Sequence, residues 1–335
     1  MQAAIYGFAG PELTTDEAAF FRDCDPAGFI LFRRNCVDPK QLLRLTDSLR
    51  DLSGRGDVPI LMDQEGGRVA RLRPPDWPAF PPGEAFARLY RLAPSSAIEA
   101  ARSNARAIGL TLRAVGVNVD ALPLLDVRQP GAHDIIGDRA LGDDPLQVAA
   151  LGRAVLDGLA SAGVVGIVKH MPGHGRATAD SHVELPVVTA SAEELETDLE
   201  PFERLRNAPM GMAAHVVYTA WDSDRPASQS PTVIQDIIRG RIGFDGFLMS
   251  DDSCMGALTG TPGERAADCI AAGCDAALPC DGVLEHNMDV ARAVPDLSQE
   301  GEARLARAMA SVLVDQEGPD FAEAAAKRDA LLALA

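Results

Sequence analysis

The chain has 335 residues, enough for one large domain or two ordinary ones. It is 47% hydrophobic and 24% charged, the balance of a globular protein, and aromatics at 5% leave Leu, Val, Ile and Ala to build the core. A net charge of −18 repels the phosphates of nucleic acid and of anionic membrane, so neither is an expected partner.

Short apolar runs recur along the chain: 3–10 (AAIYGFAG), 27–32 (AGFILF), 58–63 (VPILMD), 117–127 (VNVDALPLLDV), 166–171 (GIVKHM), 211–218 (GMAAHVVY), 246–252 (GFLMSDD) and 274–280 (CDAALPC). Runs without polar alternation suit parallel strands buried on both faces. Between them lie helix-like segments. Residues 38–53 put Leu42, Leu43, Leu45 and Leu49 roughly on one stripe, and 94–114 and 145–162 are rich in Ala and Leu with charges on another face. Asp144-Pro145 and Ser230-Pro231 read as helix starts, a capping residue followed by Pro, the second opening a helix over 232–239. Residues 319–335 read as a terminal amphipathic helix.

Eight strands separated by helices predict an α/β protein, a single (β/α)8 barrel over residues 1–335. A doubly wound open sheet is the competing fold, but no G-x-G-x-x-G follows the first strand. No apolar run is long enough to cross a bilayer. The N-terminus, with no basic residue before Arg22, does not read as a secretory leader, so the expected compartment is the cytoplasm. There the six cysteines, none in a C-x-x-C pair, are expected to stay reduced and to pack as small apolar groups.

In a barrel, chemistry sits at the C-terminal ends of the strands. Ionisable residues gather there: Asp63, Gln64 and Glu65 after strand three, Asp126 and then Arg139 after strand four, Lys169, His170 and His174 at strand five, His215 on strand six, and Asp251 and Asp252 at strand seven. So many such groups together are costly to desolvate unless they serve one purpose. Asp251 or Asp252 can attack an anomeric carbon, while the other caps or orients. Asp180 and His182, two apart on an extended loop, point to one side, where a carboxylate raises the proton affinity of an imidazole and makes it a usable proton donor. Lys169 at a buried strand end needs a carboxylate or a substrate oxygen as partner. Asp63 can accept sugar hydroxyls. Arg71 and Arg139 offer planar donor forks, for substrate or for salt bridges between loops. His170, His174, Asp180 and His182 could together ligate a metal, but no metal or organic cofactor is required by this reading. Neither a P-loop nor G-x-S-x-G occurs.

The string KHMPGHGRATADSHVELP (169–186) resembles the KHFPGHG…DSH…P segment of the bacterial β-N-acetylglucosaminidases of glycoside hydrolase family 3. MDQEGGRVARL (62–72), GDRALG (137–142) and MSDDSCMGAL (249–258) follow in that family's order, and GFILFRRN (28–35) is similar to its N-terminal region. The resemblance implies a one-domain barrel and a retaining mechanism. In it Asp251 is the nucleophile, His182 the general acid/base and Asp180 its partner, while Asp63, Arg71, Arg139, Lys169 and His170 hold the sugar. It implies a saccharide or muropeptide from peptidoglycan as the partner, with the chain expected to act as a monomer. Met171 stands where Phe is usual, and Ser253-Cys254-Met255-Gly256 departs from the usual stretch after the nucleophile; both bear on substrate preference. Another exo-glycosidase of the family, a phosphorylase using phosphate in place of water, and a metal-dependent hydrolase are the alternatives.

Overall fold

The computed structural model describes residues 1–179, 184–312 and 317–335. Eight strands close into a barrel: β1 (Gln2–Tyr6), β2 (Pro26–Leu31), β3 (Ile60–Met62), β4 (Val119–Asp120), β5 (Val165–Met171), β6 (Met210–Ala213), β7 (Phe247–Asp252) and β8 (Ala276–Leu278). Each pairs in parallel with its sequence neighbours, and β8 returns to β1 through Ala277 and Ala4. β1, β2 and β5 are buried along their whole length, as expected of strands covered on both faces.

The outer layer contains α1 (Thr15–Cys24), α2 (Pro39–Ser53), α3 (Gly83–Leu92), α4 (Pro94–Arg113), α5 (Pro145–Ser161), α6 (Ala192–Arg204), α7 (Pro262–Ala272), α8 (Leu284–Ala293), α9 (Gln299–Ala310) and α10 (Phe321–Leu332). Their starts are chemically marked. Asp38 accepts the N–H groups of Lys40 and Gln41 ahead of α2, and Asp144 accepts that of Gln147 ahead of α5, each with Pro at the first helical position. The segment from Val233 to Arg241 is also helical but wound with wider i→i+5 turns; it follows Ser230, whose hydroxyl accepts the Val233 N–H. α10 packs across α3 and α4.

Three details differ from the sequence expectations. On α2, Leu42, Leu45 and Leu49 are buried but Leu43 is 40% exposed, because consecutive helical residues point about 100° apart. The fourth strand is a ladder at Val119 and Asp120 only. Pro123 has no N–H to give, and the chain beyond it is tied to β5 by separate bonds, Leu125 N–H to Lys169 O and Lys169 N–H to Pro123 O. β6 ends at Ala213, so His215 lies just past the strand; Ala214 N–H reaches Met171 O at an irregularity in the β5–β6 register.

Candidate active site

The site begins where β3 stops. Asp63 follows its last residue, and the chain then turns through a hairpin pairing Gln64–Gly66 with Val69–Ala70. The Gln64 side-chain oxygen accepts the N–H groups of Arg71 and Leu72, both at 2.9 Å, which brings the Arg71 guanidinium back over Asp63. Asp63 Oδ2 accepts from Arg71 Nη2 at 2.8 Å, and its Oδ1 accepts from Lys169 Nζ at 3.0 Å. Glu65 lies two residues on. It accepts Lys169 Nζ at 2.7 Å and both Nε and Nη2 of Arg139 at 2.8 Å. Lys169, 2% exposed, is thus enclosed by two carboxylates.

Burial alone pushes this lysine down, but Glu65 and Asp63 outweigh it and raise its pKa. Burial likewise pushes both carboxyls up. Lys169 and then Arg71 hold Asp63 below the ordinary carboxylate value, and Lys169 and then Arg139 do the same for Glu65. Of the two readings that the sequence leaves for Arg71 and Arg139, the structure has both in salt bridges, with each guanidinium also facing the pocket.

β5 delivers His170 next to Lys169. Asp126, fully buried, accepts the N–H groups of His170 and His174 and sits 2.8 Å from His170 Nδ1. Burial pushes Asp126 up, but His170 beside it prevails and holds its pKa at about 2. An ionised carboxylate only accepts, so His170 Nδ1 carries the hydrogen and Nε2 is left to face the pocket. His174 stands edge-on to His170 with ring centroids 5.5 Å apart; burial, with His170 beside it, lowers its pKa to about 4. It is a packed, neutral ring at pH 7.

The paired aspartates at the tip of β7 have separate surroundings. Asp252 Oδ1 accepts the N–H groups of Cys254 and Cys280 at 2.8 and 3.2 Å and so ties the β7 and β8 loops together. Burial, with Asp251 adjacent, pushes its pKa up to about 6. Among the described residues Asp251 accepts one close bond, from the Asp252 N–H at 2.8 Å. Burial pushes Asp251 up too, but His170 and then His215 beside it outweigh burial and hold its pKa below the ordinary carboxylate value. His215 is fixed from behind. Its Nε2 donates to the Asp252 carbonyl at 2.9 Å, so in the neutral ring Nδ1 accepts from the Ser228 hydroxyl at 2.6 Å. Burial lowers its pKa, in keeping with a neutral imidazole.

Asp63, Arg71, Arg139, Lys169, His170 and Asp251 all line one pocket of about 190 Å³ at the C-terminal ends of the strands. Ile30, Phe32, Met212, Met255 and Leu278 supply its apolar wall. The other two predicted residues, Asp180 and His182, lie outside the described residues. A wider groove of about 550 Å³ between α1 and α2 holds Glu12, Arg22, Arg44 and Asp51 but none of the strand-end groups. Among the described residues no cluster of His, Cys, Asp and Glu is arranged to hold a metal ion. Sequence reasoning gave no role to Glu65 or to Asp120. The signal for Glu65 was its i+2 spacing from Asp63, which on extended chain points both carboxylates to one side. The pocket combines an ionised carboxylate, an imidazole nitrogen and fixed donors and acceptors for hydroxyl groups.

Comparison with known proteins agrees with this geometry. The family model described as the glycosyl hydrolase family 3 N-terminal domain matches residues 8–314. A β-hexosaminidase of Thiobacillus denitrificans is 38% identical over 306 residues, covering 89% of this chain and 84% of the relative. The crystal structure of NagZ from Neisseria gonorrhoeae in complex with N-trifluoroacetyl-D-glucosamine superimposes with a TM-score of 0.84 at 31% identity, covering 99% of this chain and 96% of that one. A family 3 β-N-acetylglucosaminidase from Paenibacillus gives 0.86 at 30% identity, covering 98% of this chain and 66% of that one. With its eight-stranded barrel, its strand-end pocket and a family match over most of its length, this chain belongs to glycosyl hydrolase family 3.

Proposed function

We propose that this chain is a retaining exo-β-N-acetylhexosaminidase. Its substrates are peptidoglycan fragments, from which it releases terminal N-acetylglucosamine linked to 1,6-anhydro-N-acetylmuramic acid, with or without its peptide. The observation that carries the reading is the contrast between the two aspartates. Both are half-buried and line the pocket, but Asp252 is occupied by the amides of Cys254 and Cys280 and its pKa is raised, while among the described residues Asp251 accepts only the Asp252 N–H and its pKa is lowered. A carboxylate so held is suited to attack on an anomeric carbon. The names of the relatives, and the N-acyl glucosamine bound to one of them, support a hexosamine as the sugar.

In this account Asp251 forms a bond to C1 as the bond from C1 to the aglycone oxygen breaks, and His182 gives its proton to that oxygen. Water then adds at C1, surrenders a proton to His182 and expels Asp251, so the β configuration is kept. Asp180 holds the imidazolium. Asp63, Arg71, Arg139, Lys169 and His170 bind the sugar hydroxyls and the acetamido group, and the chain works as one catalytic domain. Six free thiols, four of them buried, fit a reducing compartment such as the cytoplasm, and no helix among the described residues is long and apolar enough to cross a membrane.

The test is incubation with a muropeptide disaccharide while the first-formed anomer is followed by NMR. Initial release of β-N-acetylglucosamine is expected. Initial release of the α-anomer, or turnover of aryl glucosides but not aryl N-acetylglucosaminides, overturns the proposal.

A further inference from the structure

Asp120 ends β4 inside the barrel and is completely buried. Its Oδ1 accepts the backbone N–H of Gln64 at 3.0 Å, and its Oδ2 has no hydrogen-bond partner among the described residues. Gln64 sits between Asp63 and Glu65, so the amide that Asp120 grips lies at the centre of the turn that presents both of those carboxylates to Lys169. The charged groups facing Asp120 are Lys169 from β5 and Asp63 and Glu65 from the turn above. Lys169 directs its amine to the latter two.

An ionised carboxylate with one oxygen bare in a barrel interior is strongly disfavoured. Two neighbouring carboxylates, already ionised by their own cations, add repulsion. Burial and these neighbours raise the Asp120 pKa well above its ordinary value. An ionised Asp120 would also compete for the Lys169 amine and weaken its hold on Asp63 and Glu65. With Asp120 uncharged, Lys169, Arg71 and Arg139 face two carboxylates, and the surplus positive charge is left to favour an ionised Asp251.

We propose that Asp120 is a positioning residue that holds the Asp63–Glu65 turn through the Gln64 amide, and that it does so as a neutral carboxylic acid beneath Lys169. The proposal rests on the reading of Asp63 as a sugar ligand, and its protonation state is testable apart from that reading. Asp120→Asn keeps an acceptor for the amide and no charge. Asp120→Ala removes the acceptor.

On an aryl N-acetyl-β-glucosaminide, Asp120→Asn is expected to keep KM and kcat within about threefold of the parent. Asp120→Ala is expected to raise KM about tenfold, with a smaller change in kcat, the scale of one lost buried hydrogen bond. Difference infrared spectroscopy of the parent against Asp120→Asn reads the protonation state directly, through the carbonyl stretch of a protonated carboxylic acid. That band at pH 7, together with the Asn rescue, supports the proposal. Its absence overturns the neutral acid even where the protein shows no hexosaminidase activity. An Asp120→Asn variant as impaired as Asp120→Ala overturns the positioning role.

Discussion

Glu65 and Arg139 meet through two hydrogen bonds of 2.8 Å each, a bidentate pair that ties the hairpin after β3 to the loop after β4. Both side chains are largely buried, at 4% and 10% exposure. Removing one partner of such a pair leaves the other charge desolvated and uncompensated, at a cost of about 3–5 kcal/mol. Glu65→Leu is therefore expected to lower unfolding stability by that amount in urea titrations. Arg139→Lys, which keeps the charge but loses the fork, should be milder and still raise KM. A loss below about 1 kcal/mol for Glu65→Leu contradicts a structural role for the pair.

Asp126 ties stability to pH. Its pKa falls from 3.8 to about 2 in the folded chain, through its contact with His170 prevailing over burial. A carboxyl lowered on folding adds stability that is present above its unfolded value and lost as pH falls through the folded one. The contribution, on the order of 2 kcal/mol, should disappear between about pH 4 and pH 2. The stability gap between the parent and Asp126→Asn is thus expected to narrow across that window. A gap that stays constant shows that His170 and Asp126 are not coupled in this way.

Gly175 lies where two loops touch. A Cβ there would overlap the Val127 carbonyl oxygen, and the neighbouring Gly175 carbonyl accepts the Gln129 N–H. Gly175→Ala must push apart the loops after β4 and β5. It is expected to cost about 1–3 kcal/mol and to reduce kcat by disturbing Asp126 and His174 behind His170. Normal stability and turnover in this variant would mean that the loops separate freely.

The eight barrel strands were legible in the sequence because each is a short apolar run, and a parallel strand covered on both faces needs little else. The strand-end position of Asp63, Lys169, His170 and Asp251 followed from the same runs. What the sequence hid is pairing across distance. Nothing in the spacing of Glu65 and Arg139, 74 positions apart, indicates that they bind each other. Local periodicity also failed where backbone chemistry intervened: Pro123 shortened β4, and Leu43 fell off the buried stripe of α2. The division of labour between Asp251 and Asp252 depends on which backbone amides lie near each, and only the folded loops determine that.

The central claim is that Asp251 makes a covalent bond to the sugar from the face opposite the leaving group. Asp251→Ala, assayed on an aryl N-acetyl-β-glucosaminide with a good leaving group and added azide, tests it most directly. The account predicts a loss of several orders of magnitude in kcat with the fold intact, and partial recovery by azide with the α-glycosyl azide as product, the small anion entering from the vacated side. Near-normal turnover without azide, or recovery that yields only the β-azide, would contradict it.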